Sequence, residues 1–73
     1  MVRYAIIIGR AVDGGYCAYV PDLPGCVGAG ANRDETIQNI IEGIKLHLDG
    51  LKEEGLPIPK STTEAENLVF EYV

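Results

Sequence analysis

The sequence is poor in the residues that carry most enzyme and metal chemistry. It has two cysteines, one histidine and no tryptophan. Two cysteines cannot form a disulfide framework, and the spacing of Cys17 and Cys26 is not a metal-ligand spacing. We interpret them as two buried thiols, with a redox pair as the alternative. His47 falls within a predicted helix with no Ser or Cys at a triad-like spacing, which favours a solvated or partly packed side chain over a catalytic one.

Long apolar runs are also missing. No stretch approaches the 18 residues that a membrane-spanning helix needs, and no charged region precedes an apolar one as in a signal peptide. We therefore expect a cytoplasmic protein without a membrane partner. The 73 residues predict a single domain over 1–73. A domain of this size buries only about 60% of its unfolded surface, so an oligomer is a common source of extra stability.

Basic residues are few and scattered. Six lysines and arginines stand against 11 acidic residues, which gives a net charge of −5. Nucleic-acid binders usually carry a basic face, and no basic cluster exists here. The negative net charge is explained either by solubility or by a basic protein partner. In the second case the opposite charges would speed the association of the two proteins.

The chain does contain one unusually constrained loop, at residues 21–26. Its sequence is Pro-Asp-Leu-Pro-Gly-Cys. Each proline fixes its own φ and disfavours helix in the residue before it, while Gly25 can adopt a positive φ. The sequence therefore predicts a shaped loop.

The pattern around this loop predicts three strands, a helix and a closing strand. The strands are expected at residues 3–10, 16–20 and 27–31, with a hairpin at Asp13-Gly14-Gly15 and a short, bulged third strand. Asn32 is placed to cap the helix with Glu35 in a capping box, and Gly55 to end it. The predicted apolar face of the helix comprises Ile37, Ile40, Ile41, Ile44, Leu48 and Leu51. Residues 68–73 read as the closing strand.

One helix can cover only one face of such a sheet. Strand one is apolar on both sides, and so is the closing strand. A bare apolar sheet face exceeds what soluble monomers usually expose. We therefore expect a second chain to cover the other face or an edge strand, most simply in a dimer or larger even oligomer.

Candidate catalytic groups do not converge. The carboxylates of Asp13, Asp22, Asp34 and Glu35 fall in turns or at the helix start, where turn, capping and solubility roles are expected; a two-metal nuclease would need them gathered on strands and a helix. Gly28-Ala-Gly30 lacks the rest of a nucleotide-binding motif. Tyr16 and Tyr19 are predicted on opposite faces of strand two, one in the core and one available for contact.

Taken in order, these motifs resemble the HicB-type antitoxin domain over nearly the whole chain. The resemblance rests on the hairpin, the stretch from Tyr19 to Cys26, the glycine before the helix, the Asp34-Glu35 start and the Leu-Pro-Ile-Pro exit at residues 56–59. It implies an α+β fold, βββαβ, with an antiparallel sheet, one helix packed on one face and a partly degenerate ribonuclease-H-like arrangement.

The resemblance also implies a partner. HicB-type domains bind a small HicA toxin that cleaves mRNA with a histidine, and they mask its active site. Full-length members often add a C-terminal DNA-binding segment. This sequence stops after the predicted last strand, so operator binding is not expected. It also has Asn32 where the family typically has a threonine cap.

We therefore expect a non-enzymatic antitoxin that neutralises a basic HicA-type toxin without a cofactor or metal. The alternatives are an oligomeric binding module without a toxin and a residual metal-dependent nuclease. The predicted contact residues are Tyr16, Tyr19, Asp22 and Leu23, with a purely structural loop as the alternative. Rigidity of the loop would limit the entropy lost on docking.

Overall fold

A computed structural model describes residues 2–72 of the chain. It contains strands β1 (Ile7–Arg10), β2 (Tyr16–Tyr19) and β3 (Val27–Gly30), followed by helix α1 (Arg33–Glu53). The strands form one antiparallel sheet in the order β1-β2-β3. The predicted α+β class, with one helix on one face of an antiparallel sheet, is confirmed. The first strand is shorter than predicted.

The hairpin between β1 and β2 forms at the predicted glycines. Gly14 has a φ of +95°, a conformation that side chains rarely adopt. The Asp13 carboxylate accepts a hydrogen bond of 3.1 Å from the backbone N–H of Gly15. This local bond is the usual reason for aspartate at such a turn.

The helix begins as the sequence predicts. Asn32 Oδ1 accepts a 2.8 Å hydrogen bond from the N–H of Glu35. The Glu35 carboxylate reaches back to the N–H of Ala31 at 3.3 Å, one residue earlier than in the usual capping box. At the other end Gly55 has a φ of +70°, and its N–H donates to the carbonyl of Lys52. A glycine in the left-handed region is a common helix stop.

The predicted bulge in β3 is wrong, because β3 pairs with β2 in a continuous register from Tyr19–Val27 to Tyr16–Gly30. Its glycines instead allow a close approach by the helix. A Cβ on Gly30 would lie 2.8 Å from the backbone nitrogen of Thr36, and one on Gly28 would lie 3.2 Å from that of Ile40. The first distance excludes a side chain, and the second would require the helix backbone to shift slightly, so these glycines let α1 lie directly on β3.

The core lies between the helix and the covered face of the sheet. Its buried members come from β2, the loop after it and the helix: Ala18, Val20, Leu23, Cys26 and Ile40. Ile6, Ile8, Ile44 and Leu48 pack around them. Most of the predicted helix face is partly buried, although only Ile40 is buried completely.

The predicted closing strand is not formed. Residues 68–72 belong to no strand, and Val73 lies outside the described residues. Phe70 is 78% exposed and Tyr72 is 96% exposed. Within the described residues, no backbone hydrogen bond joins this part of the chain to the sheet, so the local strand-like composition is not sufficient to form a strand.

Candidate functional site

The loop at residues 21–26 is built by two successive turns. The N–H of Leu23 donates to the carbonyl of Val20, and the N–H of Cys26 donates to that of Leu23, both at 3.0 Å. Gly25 supplies a φ of +85°. The predicted shaped loop is therefore present, and its backbone turns the Leu23 side chain into the core, where it is fully buried. Leu23 is not available to a partner in this conformation.

The carboxylate of Asp22 holds the chain that follows the helix. Its Oδ2 accepts hydrogen bonds from the backbone N–H groups of Thr62 at 2.9 Å and Thr63 at 3.1 Å. Its Oδ1 accepts from the hydroxyl groups of the same threonines at 2.8 and 2.9 Å. We call Asp22, Thr62 and Thr63 the Asp22 cluster. It joins two parts of the chain that are 40 residues apart.

These four bonds favour the ionised carboxylate. The hydrogen bond from the Thr62 hydroxyl is the main cause that lowers the pKa of Asp22 below its ordinary value, and the other donors of the cluster act in the same direction. In the isolated chain the Asp22 carboxylate is therefore engaged by Thr62 and Thr63, and its contact with a partner stays a prediction.

The two tyrosines lie on opposite faces of β2, as predicted. Tyr16 is paired with Gly30 of β3, and its half-buried side chain lies on the face of the sheet that the helix covers. Tyr19 lies on the uncovered side and is 50% exposed. It stands between Ile7 of β1 and Val27 of β3, to which it is paired on either side.

The uncovered side of the sheet is apolar. We call Ile7, Cys17, Tyr19 and Val27 the open sheet face; Val27 is 69% exposed, and no member carries a charge. This agrees with the expectation that one sheet face would remain bare within a single chain. Of the four predicted contact residues, only Tyr19 is presented on this surface.

The two thiols have different surroundings. Cys26 is buried in the core, and burial raises the pKa of its thiol, so that it stays protonated and unreactive. Cys17 is exposed on the open sheet face. Both are free. The interpretation as two buried thiols is therefore right for Cys26 and wrong for Cys17, because alternation along β2 turns Cys17 outwards.

The remaining polar candidates have structural roles. Asp13 closes the hairpin and Glu35 caps the helix, as described above. Among residues 2–72, no three or more His, Cys, Asp or Glu side chains gather in a way that could hold a metal ion. His47 is half-buried on the helix. In the same residues, no helix is long and apolar enough to cross a membrane.

Sequence reasoning missed three threonines. Thr36 is fully buried, and its hydroxyl donates to the carbonyl of Asn32 at 2.8 Å. Thr62 and Thr63 complete the Asp22 cluster. Thr36 was hidden by an apolar pattern that counts only hydrophobic residues. The two adjacent threonines after Pro-x-Pro are hydrogen-bond donors that the sequence displays, but nothing in the sequence indicates which acidic side chain they bind.

Comparison with known proteins identifies the class. Residues 4–71 match the family described as the HicB-like antitoxin of bacterial toxin–antitoxin systems. The match covers all three strands, the helix and most of the segment that follows. The chain belongs to this HicB-like antitoxin family, and the predicted resemblance is confirmed.

Individual relatives are similar over most of their length. A UPF0150 protein of Synechocystis is 42% identical over 80% of this chain and 73% of its own. A UPF0150 protein of Thermoplasma acidophilum is 36% identical over 86% of this chain and 91% of its own. Among solved structures, a chain of a HicA3 and HicB3 toxin–antitoxin complex matches with a TM-score of 0.68 and 30% identity, over 84% of this chain and 70% of that one.

Proposed function

We propose that this protein binds a small basic toxin of the HicA type and neutralises it by masking its surface. The observation that carries the proposal is the likeness, in sequence and fold together, to a chain of a solved toxin–antitoxin complex. At 30% identity this likeness extends beyond the fold alone.

The charge of the chain supports the same direction. Its net charge of −5 attracts a basic protein over long distances and speeds encounter, whereas it opposes direct binding to nucleic acid. Neutralisation in this scheme works through contact rather than chemistry. The chain acts without enzymatic activity, cofactor or metal.

The open sheet face is the contact surface that the geometry favours. It offers Tyr19 flanked by Ile7 and Val27 in one cross-strand row. A partly exposed tyrosine among apolar neighbours is the kind of side chain that carries binding energy at interfaces. Tyr16, Asp22 and Leu23 then act indirectly, because they hold β2 and the loop in place.

Binding can be measured with the purified chain and a purified HicA-type toxin, by calorimetry and by protection of an mRNA substrate from cleavage. We expect a complex that prevents cleavage. Tyr19→Lys should weaken binding at least tenfold, because it places a buried positive charge against a basic partner.

Val12→Lys is the matched control, because Val12 is a fully exposed apolar residue that lies in the hairpin, away from the open sheet face. It should bind like the unmodified chain, and both variants should keep the helical circular-dichroism signal. Failure of the unmodified chain to bind or protect would contradict the proposed function. Equal binding by all three proteins would place the contact away from the open sheet face.

A further inference from the structure

The helix covers its side of the sheet only in part. Within residues 2–72, α1 packs against β3 and β2 but not against β1. A groove of about 500 Å³ lies along β1, bordered by residues 6–10 and also by Ala65 and Asn67 of the segment that follows the helix. We call it the β1 groove. Its volume falls within the range of about 300–1,000 Å³ that is typical of small-molecule sites.

The side chains along the β1 groove change from apolar to polar. Ile8 and Arg10 are two residues apart on β1, so they share one face of the sheet, and Ile6 precedes them at the same spacing. Arg10 is paired with Tyr16 of β2. Directly paired residues have neighbouring side chains on the same face. The groove therefore leads from two isoleucines to a tyrosine ring and a guanidinium group.

All the charged side chains that border the β1 groove are positive. Arg10 of β1 and Arg33, the first residue of α1, line it, and no Asp or Glu does. The chain has only six basic residues against 11 acidic ones, so two of the six meet at a cavity without an acid. The carboxylate of Glu35, two residues after Arg33, is engaged elsewhere, because it accepts the hydrogen bond from the N–H of Ala31.

The donors of the β1 groove are not used within the chain. Among the side-chain hydrogen bonds of residues 2–72, none involves the guanidinium of Arg10 or Arg33 or the hydroxyl of Tyr16. Guanidinium groups bind phosphate and carboxylate oxygens through paired N–H donors. The acidic residues elsewhere oppose this weakly, since charges more than about 8 Å apart are largely screened at physiological ionic strength.

We propose that the β1 groove binds a free nucleotide, with the phosphate on Arg10 and Arg33 and the base on the apolar part of the groove. Tyr16 supplies an aromatic ring of the kind on which bases stack. The side-chain amide of Asn67 offers both donors and an acceptor, which match the polar edge of a base. This inference goes beyond the proposed function, because masking a toxin requires no small ligand.

The first test is a titration of the isotope-labelled chain with adenosine monophosphate (AMP), followed by the backbone amide shifts in NMR spectra. We expect saturable shifts at residues 6–10, 65 and 67, with a Kd below about 1 mM. Residues 46–50 of the helix, which do not border the groove, should keep their shifts. Adenosine, which lacks the anion, and inorganic phosphate, which lacks the base, should each bind at least tenfold more weakly.

The second test removes the charges one at a time. Arg10→Gln and Arg33→Gln should each weaken AMP binding about tenfold or more, because each removes charge-assisted hydrogen bonds to the phosphate. Arg3→Gln is the matched control. It changes the net charge equally and also replaces an exposed arginine, but Arg3 does not border the β1 groove. Its affinity for AMP should equal that of the unmodified chain, and the amide spectra show whether each variant is folded.

Four outcomes would overturn the proposal. The first is the absence of saturable shifts up to about 5 mM AMP, which excludes a Kd below about 1 mM. The second is an equal loss of affinity in Arg3→Gln, which would assign binding to net charge alone. The third is inorganic phosphate binding as tightly as AMP, which would indicate an adventitious ion only. The fourth is an RNA oligonucleotide binding more than tenfold tighter than AMP, which would indicate a nucleic-acid surface. The toxin takes no part in these measurements, so their outcome is independent of the proposed function.

Discussion

At the scale of single residues, Leu23 shows how a loop can serve the core. A sequence that places Leu between Asp and Pro in a turn suggests an exposed apolar tip. The structure instead has two consecutive turns whose hydrogen bonds fold Leu23 inwards, next to Ile40 in the same buried cluster. The loop is thus an extension of the core, and a charged substitution there would act on folding before it acted on binding.

Leu23→Ala should therefore destabilise the protein. Removing a fully buried leucine side chain costs about 2–5 kcal/mol, from lost transfer energy and the cavity left behind. Urea unfolding followed by circular dichroism measures the difference. Leu46→Ala, at an exposed leucine on the helix, should change the free energy of unfolding by no more than about 0.5 kcal/mol. Equal stability of the two variants would show that the loop does not support the core.

At the scale of elements, the Asp22 cluster ties the first half of the chain to the part after the helix. The connector from residue 56 onwards has no regular secondary structure to hold it. It is held by the Asp22 cluster and by a 2.6 Å hydrogen bond from the Tyr4 hydroxyl to the carbonyl of Pro59. These contacts make the connector part of the fold.

Acid should loosen this attachment. The pKa of Asp22 in the folded state lies below its ordinary value of 3.8. A carboxyl group with a lowered folded pKa stabilises the fold above its unfolded pKa, and this contribution is lost as the pH falls through the folded pKa. The free energy of unfolding should consequently decrease below about pH 4.

Asp22→Asn tests the assignment, because an amide lacks one of the acceptor oxygens and does not titrate in this range. We expect lower stability at neutral pH and a smaller change between about pH 7 and about pH 2 than in the unmodified chain. Asp49→Asn, at an exposed helix position, should retain the full change. An unaltered acid dependence in Asp22→Asn would assign it to other carboxyl groups.

Sequence reasoning found the elements that depend on local signals. The helix start at Asn32, its end near Gly55 and the hairpin at Gly14 each depend on neighbouring residues and were predicted where the structure has them. The partners of Asp22 are 40 residues away in the sequence. Whether residues 68–72 form a strand depends on whether another strand lies beside them. Neither can be derived from local pattern, since both are decided by which distant parts of the chain meet.

At the scale of the whole molecule, the surface agrees with the proposed role of a binding protein. The sheet has one covered face and one open face. Of the four candidate carboxylates, those of Asp13, Glu35 and Asp22 accept hydrogen bonds in a turn, a helix cap and the Asp22 cluster.

We accordingly expect no cleavage of RNA or DNA by the purified chain in the presence of magnesium or manganese. The measurement is incubation of labelled RNA and DNA with the protein, followed by gel analysis. An activity that requires the metal and disappears in Asp22→Asn or Asp34→Asn would contradict this and favour the nuclease alternative. An activity unchanged in both variants would indicate a contaminating enzyme.

The exposed segment Leu68–Tyr72 has a consequence for how long a single copy survives. Proteases engage extended, exposed chain in preference to packed elements. Leu68–Tyr72 is both extended and rich in the large apolar residues at which chymotrypsin cleaves, whereas the rest of the chain from β1 to α1 is folded. An unassembled copy is thus open to digestion at one place, and any partner that covers this segment lengthens the lifetime of the chain.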